Sequence, residues 1–398
     1  MSQRAPSKNN TFAPALIMRG VGALGVIVGH AVQEVFDREE LWLAQHPGSS
    51  FGSYTGTPEH HLLFALRQLA LFAVPMFVFV SGFVRAYGVA QGKPVQWKSI
   101  RRWISALIPP FIIGLLTIWV AYLGPVLLTR NRAIRLDEFL GTYDFVAFIP
   151  IAIEFYCLFP FIVRIAKRSP AALLIGSAMI QSTVIAAWYL SHGDTPFAAT
   201  LGRYASFSEY HFWSRMMYFC GGVVIGLYHA KLLPQLMRWR GRLIGLVVFF
   251  GALSVLEMER TSPTGTLFAS QFLVTAVAYF MCLSLLVASW GQAWRGQRVW
   301  LTIGQRSLGI YILQWAVLFT LGRIAAVLFP QLMFQPLLFL IILCLVALIA
   351  PLLVSYALGR AKLEQLHRYI FGSGSESGAR ELASNDLMKA QKQVAQTD

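Results

Sequence analysis

Apolar runs of about twenty residues recur along almost the whole chain, and no feature restricts its fold more. In a bilayer core each backbone amide and carbonyl must find a partner within the chain, so such runs become helices. Ten can be drawn, at 14–36, 63–87, 103–129, 144–166, 171–191, 211–230, 243–257, 266–290, 301–328 and 333–358. Hydrophobic residues make up 56% of the chain and charged ones 13%, a balance that excludes an ordinary soluble domain. Several Trp residues lie near segment ends, as interfacial anchors do. The expectation is an all-α polytopic membrane protein of about ten transmembrane helices, with the lipid bilayer as its first partner.

The formal net charge of +15 would suit nucleic acid if the cations formed a continuous surface. They fall instead in short connections, so no nucleic-acid partner is expected. Lys93, Lys98, Arg101 and Arg102, then Arg164, Lys167 and Arg168, then Lys231, Arg238, Arg240 and Arg242, then Arg295 and Arg298 occupy alternate connections. Arg4 and Lys8 at the N-terminus and Arg360, Lys362, Arg368, Arg380, Lys389 and Lys392 in the tail fall on the same side. The other side has Arg38, Arg203, Arg260 and a cluster of Arg130, Arg132 and Arg135 that Asp137 and Glu138 partly offset. This asymmetry places both termini in the cytoplasm.

Three parts follow: a cytoplasmic segment 1–13, a membrane domain 14–358, and a polar cytoplasmic tail 359–398 expected to be largely disordered. The first apolar run lacks an Ala-x-Ala pattern and reads as a retained span. Cys157, Cys220, Cys282 and Cys344 lie inside apolar segments without CxxC spacing, so neither a disulfide nor a metal site is expected. Two outer connections, Asp37 to His61 and His192 to Tyr210, are long; either can be a plain solvated loop or the lip of a site.

Polar side chains inside the apolar runs carry the functional argument, because each costs several kcal/mol unless it meets a cavity or a partner. Arg19 and His30 share the first run. Eleven residues at 100° each bring them within about 20° of one helix face, separated by about 16 Å of rise. They point to a shared cavity. In the second run Pro75 can kink the helix, and Ser81-Gly82 permits close helix contact. Arg101-Arg102-Trp103 forms a basic cytoplasmic mouth, suited either to an anionic cofactor or to lipid headgroups. Glu154 stands near the middle of the fourth run, with His30, Arg67 or Arg215 as candidate partners. Ser307, Tyr311 and Gln314 stand at i, i+4 and i+7 of the ninth, a polar stripe that can line a site or form an interhelical seam.

Taken in order, these phrases resemble the acyltransferase 3 family of integral-membrane acyltransferases. The correspondence rests on Arg19 with His30, on Val74-Pro75 through Ser81-Gly82-Phe83, on Arg101-Arg102 followed by Pro109-Pro110, on Glu154-Phe155-Tyr156 with Leu158 and Pro160, and on Ser307 with Ile310-Tyr311. It covers the chain from about Leu16 to Leu358. The ninth-span phrase commonly ends in His, where this chain has Gln314. The resemblance implies a ten-helix enzyme, in a bacterial inner (plasma) membrane, that takes an acyl group from a cytoplasmic donor. The donor substrate would be acyl-CoA, commonly acetyl-CoA, with no metal. The acceptor would be a hydroxyl of a surface glycan or lipid-linked sugar.

On this reading His30 is the general base, since a neutral imidazole suits a proton at physiological pH. Arg19, with Arg101 and Arg102, binds the phosphates of the donor. Glu154 orients His30 or holds its proton, while Ser81, Ser307, Tyr311 and Gln314 line the substrate path. The alternative is a transporter or exporter of a glycan or small molecule using the same polar site, although the two halves of the chain show no internal repeat.

Overall fold

The computed structural model describes residues 13–47, 53–124, 148–192, 195–261, 269–290 and 296–372. The cations Arg4, Lys8 and Arg295, the Arg130–Arg135 cluster with Asp137 and Glu138, and the tail beyond 372 lie outside them. Among the described residues the chain is helical, without strands. In order the helices are α1 Ala13–Gln45, α2 Pro58–Ala70, α3 Ala73–Ala90, α4 Trp97–Ser105 and α5 Ile108–Ile118, then α6 Phe148–Arg168, α7 Pro170–Leu190 and α8 Pro196–Ser208. There follow α9 Met216–Leu227, α10 His229–Arg238, α11 Arg240–Thr261, α12 Val274–Ala288, α13 Gln297–Leu328, α14 Pro336–Arg360 and α15 Glu364–Phe371.

Each of the ten apolar runs contains a helix. Among the described residues eight helical stretches are long and apolar enough to cross a membrane, and a ninth if Phe212–Leu227 and His229–Arg238, bent by 104°, count as one span. The run at 266–290 yields only α12, a shorter apolar helix of 15 residues. Two boundaries move. The run at 14–36 continues as helix to Gln45, so Asp37 is helical and not part of a loop. Most of the connection 192–210 is likewise helical, as α8, which Thr195 caps by accepting from the Ala198 amide.

The span at 63–87 is interrupted between α2 and α3. Pro75 has no amide hydrogen to give the carbonyl of Leu71, and the break falls at Leu71–Phe72. The α-helix α5 ends in a π-turn, Trp119–Leu123, which Arg323 of α13 holds by donating to the carbonyls of Ala121 and Tyr122.

Two helix pairs make the most extensive contacts, α3 with α9 and α1 with α13. Both depend on glycine. A Cβ on Gly82 would strike the Phe219 carbonyl, and one on Gly222 the Phe79 carbonyl; a Cβ on Gly304 would strike the carbonyl of Leu16. Small residues let the backbones approach, which in lipid replaces the hydrophobic drive available in water. Large apolar residues such as Val120, Met179, Val248 and Val327 face outward, as a lipid-exposed surface requires.

The first part of the segment 359–398 is ordered structure. Helix α15 packs on α5, α13 and α14, with Phe371 against Gly309. Arg306 donates to Ser355 Oγ at 2.9 Å, and Ser355 meets His367 Nε2 at 3.0 Å.

Candidate functional site

A concavity of about 590 Å³ opens among α1, α2, α7, α8 and α13. On the orientation expected from the Lys and Arg distribution, this is the outer cavity. Helix α1 supplies one wall with Val26, Gly29, His30, Gln33 and Asp37, a stripe at helical spacing. Arg67 comes from α2, Tyr311 and Trp315 from α13, and Glu209, Tyr210 and Arg215 from the segment around the end of α8. Ser270, Gln271 and Phe272 precede α12.

Its walls are fixed from behind. The buried amide of Gln68 donates to Ser254 Oγ at 2.9 Å and to the Ser270 carbonyl at 3.0 Å, and accepts from the Ser270 amide at 2.8 Å. One side chain thus holds α2, α11 and the Ala269–Phe272 segment together. Arg215, buried, donates to Gln271 Oε1 at 2.9 Å, to Ser214 at 2.8 Å and to the carbonyl of Glu209. Gln271 in turn donates to Glu209 at 2.7 Å.

His30 lines this cavity. Its ring stacks on Trp315, with centroids 4.1 Å apart and planes 28° from parallel. The stack fixes the plane of the imidazole without using its nitrogens, and neither nitrogen hydrogen-bonds a described residue. Gln33 and Asp37, one and two turns further along the same face, bond to each other at 2.6 Å.

Arg19 does not share this cavity. It lies three turns inward, close enough to Arg85 and Tyr156 for direct charge interaction. Arg85 lies on α3 just after the Ser81-Gly82-Phe83 phrase. Its guanidinium sits 4.7 Å from the ring centroids of both Trp103 and Tyr156, and donates to the Tyr156 hydroxyl at 3.0 Å. No described carboxylate is paired with either guanidinium. Two neighbouring cations without a described carboxylate partner leave a local excess of positive charge. Arg101 and Arg102 are exposed on α4, the same helix that delivers Trp103 inward.

Glu154 faces elsewhere. One oxygen meets His211 Nδ1 at 2.9 Å and the other accepts from the Phe212 amide at 2.8 Å. Among the described residues it has no contact with His30, Arg67 or Arg215; it ties α6 to the turn that precedes α9. Of the stripe on α13, Tyr311 lines the cavity, while Ser307 and Gln314 are buried away from it. Ser81 is half-buried and lies outside the cavity wall.

Sequence reasoning passed over Gln33, Asp37, Glu209, Gln271 and Arg85 as site residues. For Gln33 and Asp37 a signal existed, since they continue the His30 face at i+3 and i+7. For Arg85 the signal was a cation inside an apolar span. Glu209 and Gln271 are brought in by tertiary packing and carry no local signature. Among the described residues no group of three or more His, Cys, Asp or Glu is placed to hold a metal.

No curated protein and no solved structure matches the chain. A family model for an acyltransferase domain does match, over residues 17–356, which takes in the His30 cavity and the Arg19–Arg85 pair alike. With that match over most of its length, this multi-pass membrane protein belongs to the acyltransferase 3 family and is an acyltransferase.

Proposed function

We propose that the protein is an O-acyltransferase of the inner (plasma) membrane, moving an acyl group, in the first instance acetyl, from cytoplasmic acyl-CoA to a hydroxyl of a cell-surface glycan or lipid-linked sugar. The observation that carries the reading is His30: an imidazole in the wall of a polar cavity, without a hydrogen bond to a described residue and with its plane fixed by Trp315, on a helix that carries Arg19 three turns away. Arg19 and Arg85 bind the phosphates of the donor from the inner side. The acceptor enters from the outer side.

The chemistry balances without further components. The acceptor hydroxyl attacks the thioester carbonyl, and His30 takes its proton as the C–O bond forms. The tetrahedral intermediate collapses with cleavage of the C–S bond. His30 returns the proton to the departing sulfur, so the products are an ester and the free thiol. Trp315 keeps the ring in one orientation through both transfers, which limits the rotational freedom lost in the transition state.

The test is transfer from radiolabelled acetyl-CoA in membranes carrying wild-type protein or His30→Ala, scored as base-labile label on glycan or lipid. Label in the wild type, with a loss of about a hundredfold or more in a normally inserted His30→Ala, is the expected result. Equal label in both removes His30 as the base. Movement of a glycan across the membrane without ester formation would favour an exporter instead.

A further inference from the structure

The polar side chains of the outer cavity divide into two sets. Most are engaged with one another: Gln33 with Asp37, Gln271 with Glu209, and Arg215 with Gln271, Ser214 and the Glu209 carbonyl. Arg67 and His30 are not. Neither makes a hydrogen bond to any described residue, although both line the cavity. Arg67 shares the cavity wall with His30 and Asp37, and its charge acts on both. The Asp37 carboxylate offsets that charge while one of its oxygens accepts from Gln33 Nε2, and no described residue accepts from the Arg67 guanidinium.

An open guanidinium offers five donors in a planar fork that matches the oxygens of a carboxylate or a phosphate. In a water-poor cavity such donors are costly to leave unanswered, and a ligand oxygen answers them better than a sugar hydroxyl does. Arg67 stands on α2 and His30 on α1, two helices packed together, so the distance from the fork to the imidazole is set by the fold. We propose that the outer cavity takes an acceptor bearing an anionic oxygen group, carboxylate or phosphate, which Arg67 grips as a fork while His30 meets the hydroxyl to be acylated. The inference rests on the function proposed above and adds the chemical class of the acceptor. Arg67 binds and orients; it moves no proton.

Trp188 and Trp315 line the cavity, so tryptophan fluorescence of the whole protein in lipid nanodiscs reports occupancy without requiring turnover. The probes are a short oligogalacturonate, galactose 1-phosphate, and a neutral galactose oligomer of matching length. Saturable quenching by one anionic probe and none by the neutral oligomer is expected; which anionic probe acts separates an acidic sugar from a phosphate-bearing one. Arg67→Gln should weaken that binding by about ten- to a hundredfold, and Arg67→Lys by less. Equal binding of the neutral oligomer, no binding of either anionic probe, or undiminished anion binding by Arg67→Gln overturns the proposal. Should Arg67→Gln fail to insert, the wild-type comparison of charged and neutral probes decides. Anion binding as expected with no acyl transfer from any donor would leave the anion site standing and remove the acyltransfer reading of it.

Discussion

The two ends of α1 present opposite solutions to placing charge inside a membrane protein. At the outer end, Asp37, Arg67, Glu209 and Arg215 bring both signs into one cavity, and amide side chains bridge several of them. At the inner end, Arg19 and Arg85 are neighbours, and the groups packed on Arg85 are aromatic rings. A cavity of mixed charge with one guanidinium left without a hydrogen bond suits a ligand that joins hydroxyls to a single anionic group. A dication without a carboxylate suits a ligand of high negative charge. The difference teaches that charge balance along one helix is set locally by neighbours, while the spacing of about 16 Å is set by the helix itself.

The comparison is broken most directly at the inner end. Arg85→Gln, alone and with Arg19→Gln, should raise the KM for acyl-CoA by about ten- to a hundredfold per charge lost, with little change in the KM for the acceptor. Increasing salt should weaken donor binding in the wild type more than in the double variant. An increase in acceptor KM instead would mean that the arginines shape the outer cavity and that the two ends are not separate sites. Steady-state kinetics with each substrate varied in turn gives the answer.

Much of this arrangement was legible in the sequence. Ten apolar runs each yield a helix, because in a bilayer the backbone has no other way to satisfy its amides. The close contact expected at Ser81-Gly82 is present, as the Phe219 carbonyl sits where a Cβ on Gly82 would be. Helix period alone put Arg19 and His30 on one face, but period says nothing about what the neighbouring helices place between or beside them. That is why one face became two sites. The partner of Glu154 was not legible either: His211 lies 57 residues away, in a turn whose position depends on the packing of α9. Asp37 was misplaced for a local reason. Its acidic, polar surroundings resemble a loop, yet α1 continues through them to Gln45, with Arg38 bonded to Glu34 at 2.5 Å along the helix.

Glu154 sharpens the comparison from between the two ends. With its oxygens on His211 and the Phe212 amide, it supports the wall segment that carries Glu209, Tyr210 and Arg215. Glu154→Gln keeps the volume and removes the charge, so it should cost about 1–3 kcal/mol of stability, read as a lowered midpoint in thermal unfolding of the detergent-solubilised protein. Its kcat should fall by less than about tenfold. A fall of a hundredfold or more at unchanged stability would place Glu154 in the proton path of His30, against the geometry described above.

The smallest effect belongs to Gln314, which stands where relatives of this family commonly have His. Its side chain is fully buried, its Nε2 reaches only the Tyr311 carbonyl at 3.4 Å, and its Oε1 has no partner among the described residues. It lies one residue before Trp315 on α13 yet is absent from the cavity wall. A buried acceptor left without a donor is a cost, so Gln314→Leu, close in volume, should leave the thermal midpoint unchanged or raise it slightly. Acyl transfer should stay within about threefold of wild type, because the proposed mechanism assigns the proton to His30 alone. If transfer collapses in Gln314→Leu while the protein remains stable, the amide has a part in the reaction. The site would then extend along α13 beyond Tyr311, and the outer cavity as drawn would be incomplete.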